Sequence, residues 1–440
     1  MAKILIRGAL LVPVDEKRPD CFYGDVLIAD NRIASIAERP DTLEESRAEQ
    51  VINGEKLIIM PGLVNTHGHA AMTLFRSYAD DMPLKDWLER KIWPIEEHLT
   101  GDDIYWGTML AIAEMLKGGT TTFADMYFFM ERVAEAVAES GIRAVLSRGL
   151  IGFGDSAEKG LKETSDFIDN WHGAEGGRIN VTLGPHAPYT CPPAFLKKVI
   201  AMAGKTDRPL QIHLSETKSE VEDSMREHNK SPIELVYDLG LFDHKVTAAH
   251  CVHVSDHDIA MMAEKNVTVA HNPGSNLKLG SGIAPIAKML QSGIKVGIGT
   301  DGASSNNNLD MIEEMRLAAL LAKGVAMDPT LVNARTALQM ATALGAEALF
   351  LENTGMLREG CQADLIGLRY DRPHLTPLHD PLAHLVYAAA AADVDLVMVD
   401  GRLLLEQGEL KTLDEEKIMA EAGRCAGRLV KAKKEKKGEV

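Results

Sequence analysis

Short apolar runs separated by turn signals open the chain. They predict strands at Ile4 to Ile6, Val26 to Ala29, Ile33 to Ile36 and Val51-Ile52, with turns at Asp30-Asn31 and Asn53-Gly54. From about residue 57 to residue 350 the pattern changes: apolar strands alternate with amphipathic helical stretches such as Met130 to Ser140 and Pro232 to Leu239, the signature of βα units and a parallel sheet. Eight strands can be counted, at Leu63 to Asn65, Thr121 to Ala124, Ala144 to Ser147, Val181 to Gly184, Leu210 to His213, Val246 to Ala249, Val267 to Ala270 and Val296 to Gly299. Eight such units predict a closed (β/α)8 TIM barrel rather than an open doubly wound sheet. Strand-like sequence returns at Ala363 to Leu368 and Leu396 to Arg402. The expected α/β organisation is therefore a small β-sandwich domain built from both chain ends, residues 1–56 and 351–440, the latter with a C-terminal helix, around an inserted barrel of residues 57–350.

The polar residues sharpen this picture. Each strand is followed at its C-terminal end by a functional group: His67 and His69, Asp125, Arg148, His186, His213 with Glu216, His250, His271 and Asp301. In a TIM barrel those ends converge on one mouth, so groups scattered along the chain become one site. The first pair closes the run Pro61-Gly62-Leu63-Val64-Asn65-Thr66-His67-Gly68-His69, where alternating faces of an extended chain aim both imidazoles the same way and Gly68 leaves the space between them empty. Neutral imidazole is a ligand for divalent metals. With His213 and Asp301 the two histidines make a donor set that suits zinc or iron, leaving a position for water. Thr300-Asp301-Gly302 also reads as turn chemistry, but a strand of Val, Ile and Gly ending in Asp at a barrel mouth favours a ligand. The fourth strand, Asn180 to His186, holds no lysine, whereas binuclear proteins that the chain resembles in fold place a bridging carbamylated lysine there, so one divalent metal is expected, zinc first and iron as the alternative. Such an ion lowers the pKa of its water from ~15.7 toward ~7.

Glu216 stands three residues after His213 and can take a proton from the attacking water and pass it to a ring nitrogen of a substrate, a role worth ~10²–10⁴-fold in rate. Read blandly, it is a solvated glutamate opening a helix, since Glu220 and Glu222 follow it. His250 can hydrogen-bond the hydroxide or the leaving amine, or be a satisfied core histidine. The stretch Leu84-Lys85-Asp86-Trp87-Leu88 with Trp93 is either a lid or a helix packed on the barrel. The lysine run from Lys431 to Lys437 fits the solvated end of a C-terminal helix.

Composition and charge narrow the partners. The formal charge of -17 and pI near 5.4 set the mean field against a nucleic-acid backbone. Five cysteines, odd in number and without a Cys-x-x-Cys pair, indicate neither a disulfide framework nor a thiolate zinc site, and fit a reducing cytoplasm. The N-terminal Met1-Ala2-Lys3-Ile4-Leu5-Ile6-Arg7-Gly8 lacks a signal-peptide core and no 18-residue apolar segment follows, so a cytoplasmic protein that meets no membrane is expected. Homo-oligomer formation stays open.

Several segments together resemble the amidohydrolase superfamily, and within it the 5-methylthioadenosine and S-adenosylhomocysteine deaminases, close to the chlorohydrolase and guanine deaminase groups. They are Pro61 to His69, Trp93-Pro94-Ile95-Glu96, His271-Asn272-Pro273-Gly274-Ser275-Asn276-Leu277-Lys278-Leu279, Gly299 to Asp310, and Gly355 to Leu365. The resemblance implies metal-dependent hydrolytic deamination of a purine nucleoside with a thioether tail. It implies that Glu96 binds ribose hydroxyls, Arg148 the carboxylate of a homocysteine tail and His186 the nucleoside, with Glu216, His250 and Asp301 catalytic and Glu216 and Asp301 also touching the substrate. The alternatives are the same machinery on another ring, as in guanine deaminase or triazine hydrolases, and a non-catalytic scaffold, against which the intact His67, His69, His213 and Asp301 speak. The Pro-Cys-x-x-Cys element of cytidine-type zinc deaminases is absent.

Overall fold

The alternation read between residues 57 and 350 is realised as a closed parallel barrel. A computed structural model of the protein describes residues 3–154 and 156–437. Ahead of the barrel come β1 (Ile4–Leu11), β2 (Phe22–Ala29), β3 (Arg32–Ala37), β4 (Gln50–Asn53) and β5 (Leu57–Pro61). The barrel itself is β6 (Leu63–Asn65), β7 (Thr120–Tyr127), β8 (Arg143–Leu150), β9 (Ile179–Pro185), β10 (Leu210–Leu214), β11 (Val246–His250), β12 (Thr268–His271) and β13 (Val296–Ile298). Its strands follow one another around the ring and close where β13 pairs with β6 through Ile298 and Asn65. Each anticipated strand is present, and the helix Met130–Ser140 has the bounds its periodicity predicts.

The strands are almost wholly buried because helices cover them outside and side chains fill them inside. At the end where the strands begin, the helix Ala343–Ala348 plugs the barrel. Val64, Ala124 and Val145 pack there on Ala346 and Leu349, and the hydroxyls of Thr247 and Thr268 donate to Ala348 O at 2.7 and 2.8 Å. With its base sealed, the barrel can host a ligand only at the opposite mouth.

After the barrel come β14 (Leu365–Arg369), β15 (Val394–Val399), β16 (Arg402–Glu406) and β17 (Glu409–Leu410), which join β1 to β5 in one nine-stranded mixed sheet. Two expectations change here. Leu57–Pro61, assigned from the sequence to the barrel, is a strand of this sheet, parallel to β1 and antiparallel to β14. Its run Leu-Ile-Ile-Met-Pro is buried on both faces: Leu57 and Ile59 enter the sheet's own core while Ile58 and Met60 pack toward the barrel. The second change is that the sandwich is a single continuous sheet rolled around that core. Its two flanks meet where Asn31 Nδ2 donates to Asp400 Oδ1 at 3.2 Å and Ala363 N to Asn31 O at 2.9 Å. A buried ion pair fastens sheet to barrel, with Arg143 of β8 donating to Asp364 at 2.6 Å.

The helix Glu415–Lys437 packs on the helix Gly101–Lys117 through an Arg428–Asp103 ion pair, and Lys433 is buried, donating to Lys91 O at 2.9 Å. The lysine side chains of the predicted run beyond Lys433 lie outside the described residues. Among the described residues all five cysteines are free and no helix is long and apolar enough to cross a membrane.

Candidate metal centre and active-site pocket

Side chains from four strands meet at the mouth. His67 and His69 follow β6, His213 lies in β10, His250 ends β11 and Asp301 follows β13. The ring centroids of His67 lie 5.0 Å from His69 and 4.7 Å from His213, and Asp301 Oδ1 is 3.2 Å from His69 Nε2 and 3.6 Å from His67 Nε2. One ligand atom each from His67, His69 and His213 falls within 4.8 Å of the others, and the same holds for His67, His250 and Asp301.

Neighbours set the tautomers from behind. His69 Nδ1–H donates to Met126 O at 2.7 Å and His213 Nδ1–H to His186 O at 2.7 Å, which turns each Nε2 toward the mouth. His67 Nε2 is buried with no hydrogen-bond partner, a state costing about 1–3 kcal/mol unless something binds it. Ser275 and Ser305 donate to Asp301 Oδ2 at 2.6 and 2.9 Å, so Oδ1 is the oxygen turned to the imidazoles. Imidazole nitrogens and a carboxylate oxygen gathered within 4.8 Å of one another in these two triplets fit a divalent cation.

Electrostatics agree with that fit. Burial opposes charge on Asp301, but the hydrogen bond and charge of His69, with His250 and His67 behind it, hold the carboxyl well below its usual range. Burial drives His67 and His213 well below the ordinary imidazole value, and their neighbouring imidazoles add to the effect, so both are in the neutral, ligating form. Burial would lower His69 too, yet its bond to Asp301 raises it to about 9, and an arriving cation must displace that proton.

Glu216 faces the same space. Its Oε1 accepts from Ser281 Oγ at 3.2 Å and its Oε2 lies 3.8 Å from His250 Nε2. Burial raises its carboxyl above the ordinary value while the charge of His250 tempers the rise. His250 Nδ1–H donates to Asn276 Oδ1 at 2.8 Å, turning Nε2 toward the pocket. The backbone at these strand ends is left-handed, with φ of 53° at Ser215, 72° at His250 and 61° at Asp301. Such positions cost about 1–3 kcal/mol each and persist only where surrounding contacts dictate them. Here they re-aim side chains into the mouth.

The cavity above these groups is walled by Met72, Trp87, Leu88, Trp93, Phe128 and Leu279, an apolar lining around a few convergent polar groups. The Leu84 to Glu96 stretch both packs and covers, since Trp87 is buried while Trp93 is 37% exposed and both line the cavity. Glu96 lines it too, its Oε1 accepting from Tyr127 OH at 2.5 Å. His186 lies 4.8 Å from His213 between ring centroids, and its Nδ1 pairs with Thr190 Oγ1 at 2.8 Å. Burial first, then the charges of His69 and His250, push His186 down to about 4.

Arg148 is not brought into this cavity. Strand alternation turns it to the helix Ser156–Trp171, where Nε donates to Glu163 Oε2 at 2.9 Å and the guanidinium lies 5.1 Å from the Phe128 ring centre. It lines an adjoining cavity that shares Trp93, Glu96 and Phe128 with the first. Asp125 and His271 also stay out of the lining: Asp125 accepts from Ala70 N at 2.8 Å, and His271 is buried with neither ring nitrogen hydrogen-bonded. Sequence reasoning missed Tyr127 and Ser281. It quoted Ser275, Asn276 and Ser305 within motifs, but only the fold shows that they hold Asp301 and His250.

A parallel barrel whose mouth gathers four imidazoles, an aspartate and a buried glutamate has the form of a metal-dependent hydrolase. The chain belongs to the amidohydrolase family, whose profile matches residues 58–404. Its relatives include the 5-methylthioadenosine/S-adenosylhomocysteine deaminase of Desulforudis audaxviator (strain MP104C), 54% identical over 434 residues that cover 98% of this chain and 100% of that protein. Another of the same name, from Dictyoglomus thermophilum, is 56% identical over 396 residues, 90% of this chain and 93% of that one. Among solved structures, an adenosine deaminase from Xanthomonas campestris with bound zinc aligns with a TM-score of 0.93 at 35% identity, over 97% of this chain and 98% of that chain. A zinc complex of atrazine chlorohydrolase from Arthrobacter aurescens TC1 aligns at 0.90 and 27%, over 96% and 100%. Zinc in both neighbours and the donor set described above together support a divalent metal in this pocket.

Proposed function

We propose that the chain hydrolytically deaminates adenine nucleosides with a thioether tail, converting 5′-methylthioadenosine and S-adenosylhomocysteine to their inosine analogues and ammonia. The observation that carries this reading is the convergence, on one cavity, of two overlapping His/Asp triplets able to hold a metal with Glu216, 3.8 Å from His250. The relatives at 54% and 56% identity bear the name of that activity.

His67, His69, His213 and Asp301 would hold a divalent ion, zinc in this reading, whose Lewis acidity would bring the pKa of a water from ~15.7 toward ~7. The chain's own residues do the rest. Glu216 accepts the proton that water gives up and delivers it to purine N1, which makes C6 electrophilic as the oxygen adds. His250, its Nδ1–H engaged by Asn276, presents Nε2 to orient the water. The water's second proton, lost from the new C6 hydroxyl, then reaches the exocyclic amine, which departs as ammonia while C6 becomes a carbonyl. Glu96, steadied by Tyr127, accepts hydrogen bonds from the ribose hydroxyls, and His186 lies against the nucleoside. Arg148 meets the carboxylate of the tail from the adjoining cavity.

Ammonia release measured across purine nucleosides, with and without chelator, tests this. Methylthioadenosine and S-adenosylhomocysteine should release ammonia, chelation should abolish it, and added zinc should restore it. No ammonia from these substrates alongside turnover of guanine or a triazine overturns the assignment.

A further inference from the structure

Glu220 lies in the first turn of the helix Lys218–His228, where Thr217-Lys218-Ser219-Glu220 reads as an ordinary helix start. Thr217 Oγ1 accepts from Glu220 N at 3.2 Å, and a glutamate in that third position ordinarily reaches back to the N–H of the capping residue. Here it reaches further. Oε1 accepts from Ser215 N at 3.0 Å and Oε2 from Glu216 N at 2.8 Å. One carboxylate thus closes around both N–H groups of the turn that presents Glu216, and that turn is left-handed at Ser215 with φ 53°. Two acidic side chains are set close together by this arrangement, an electrostatic cost that simple helix capping does not require. Burial, with the charge of Glu216, raises the Glu220 carboxyl to about 7 against the pull of its two N–H bonds. On the far side Ser281 tethers the Glu216 carboxyl itself.

We infer that Glu220 is a positioning residue for the reaction: by gripping the 215–216 backbone it directs the Glu216 side chain toward His250 and the cavity. The inference rests on the proton-carrying role proposed for Glu216. A carboxyl displaced by about 1 Å loses on the order of 10²-fold in rate, so Glu220→Ala should lower kcat by ~10–10²-fold. The KM for methylthioadenosine and the bound metal per chain should stay at wild-type values.

The deciding measurement is a double-mutant cycle with Glu216→Gln, read in kcat, metal content and thermal midpoint. If Glu220 acts through Glu216, adding Glu220→Ala to Glu216→Gln costs nothing further. Losses that multiply, or a wild-type kcat in Glu220→Ala, overturn the inference. So does a fall in thermal midpoint and metal content with turnover per bound metal unchanged, the mark of a purely structural cap. Should Glu220→Ala fail to fold, Glu220→Gln decides: it keeps the shape and one acceptor, and an intact kcat in it overturns the inference. Normal turnover in Glu216→Gln alone removes the role of Glu216, whereas an impaired Glu216→Gln beside an intact Glu220→Ala removes only the positioning role.

Discussion

Where the barrel strands begin, Val64, Ala124 and Val145 pack on Ala346 and Leu349, and two threonine hydroxyls share one carbonyl. Where the same strands end, they present His67, His213, His250 and Asp301 on backbone that is left-handed at His250 and Asp301. The first end relies on apolar contact and ordinary hydrogen bonds, with the Lys295–Glu347 and Arg143–Asp364 ion pairs around it. The second gathers ionisable groups away from water, keeps His67 Nε2 without a partner and holds strained dihedrals in place through Ser275, Asn276 and Glu220. A site that must aim several polar atoms at one point is locally unstable, and the sealed base supplies rigidity that the mouth lacks. Activity and stability should therefore be separable by substitution.

The largest effect belongs to the mouth. Glu216→Gln should lower kcat by ~10²–10⁴-fold in an ammonia-release assay while metal content and thermal midpoint stay at wild-type values. Near-normal turnover would break the contrast at its functional end. At the base, Leu349→Ala removes a 3% exposed side chain from the plug and should cost about 2–5 kcal/mol in denaturant unfolding, with kcat unchanged well below the transition. A fall in kcat without loss of stability would show that the base takes part in catalysis.

Between the two ends, Glu314 offers a pH-dependent test. It lies on the helix Met311–Ala326, is buried, and accepts from Gly274 N at 2.9 Å and Asn306 Nδ2 at 2.8 Å, bracing the loops that carry Ser275 and Ser305. Burial lifts its carboxyl from the ordinary 4.5 to about 8 despite those bonds. Across that window the folded chain keeps a proton that the unfolded chain has lost, so stability falls as pH rises, because the slope follows protons bound unfolded minus protons bound folded. The wild-type thermal midpoint should therefore decline more between about pH 5 and pH 8 than that of Glu314→Gln. Parallel pH profiles would mean that Glu314 does not hold its proton.

The eight strands were legible because strands buried on both faces read as apolar runs, and the histidines stood out because each closed one of those runs. Leu57–Pro61 was not assignable by the same logic. An unbroken apolar run fits a barrel or a sheet equally well, and its partners β1 and β14 are a tertiary matter. Arg148 shows a second limit. The third strand runs to Leu150, three residues past its predicted end at Ser147, and a single residue of parity decides whether a side chain faces the mouth or the helices outside. The clamps are illegible for a third reason: Ser275, Asn276 and Glu220 are ordinary turn and cap residues until the fold shows what they hold.

The smallest effect is the sharpest test, because the same chemistry is removed at both ends. Tyr127 OH donates to Glu96 at 2.5 Å in the mouth, and Thr247 Oγ1 donates to Ala348 O at 2.7 Å in the base. Each bond contributes about 0.5–1.5 kcal/mol net, more where the acceptor is charged. On the ribose-binding role proposed for Glu96, Tyr127→Phe leaves it free to turn away, so KM for methylthioadenosine should rise by up to ~10-fold, the equivalent of about 1.4 kcal/mol, with the thermal midpoint unchanged. A 2′,3′-dideoxy analogue, which has no hydroxyls for Glu96 to hold, should bind the variant and the wild type alike. Thr247→Val keeps the side-chain shape and leaves Ala348 O still bonded to Thr268, so it should cost about 0.5 kcal/mol of unfolding free energy and leave KM untouched. If Tyr127→Phe instead lowers stability, or raises KM equally for the dideoxy analogue, then the tyrosine is part of the packing and the division between a working mouth and a stabilising base does not hold at that residue.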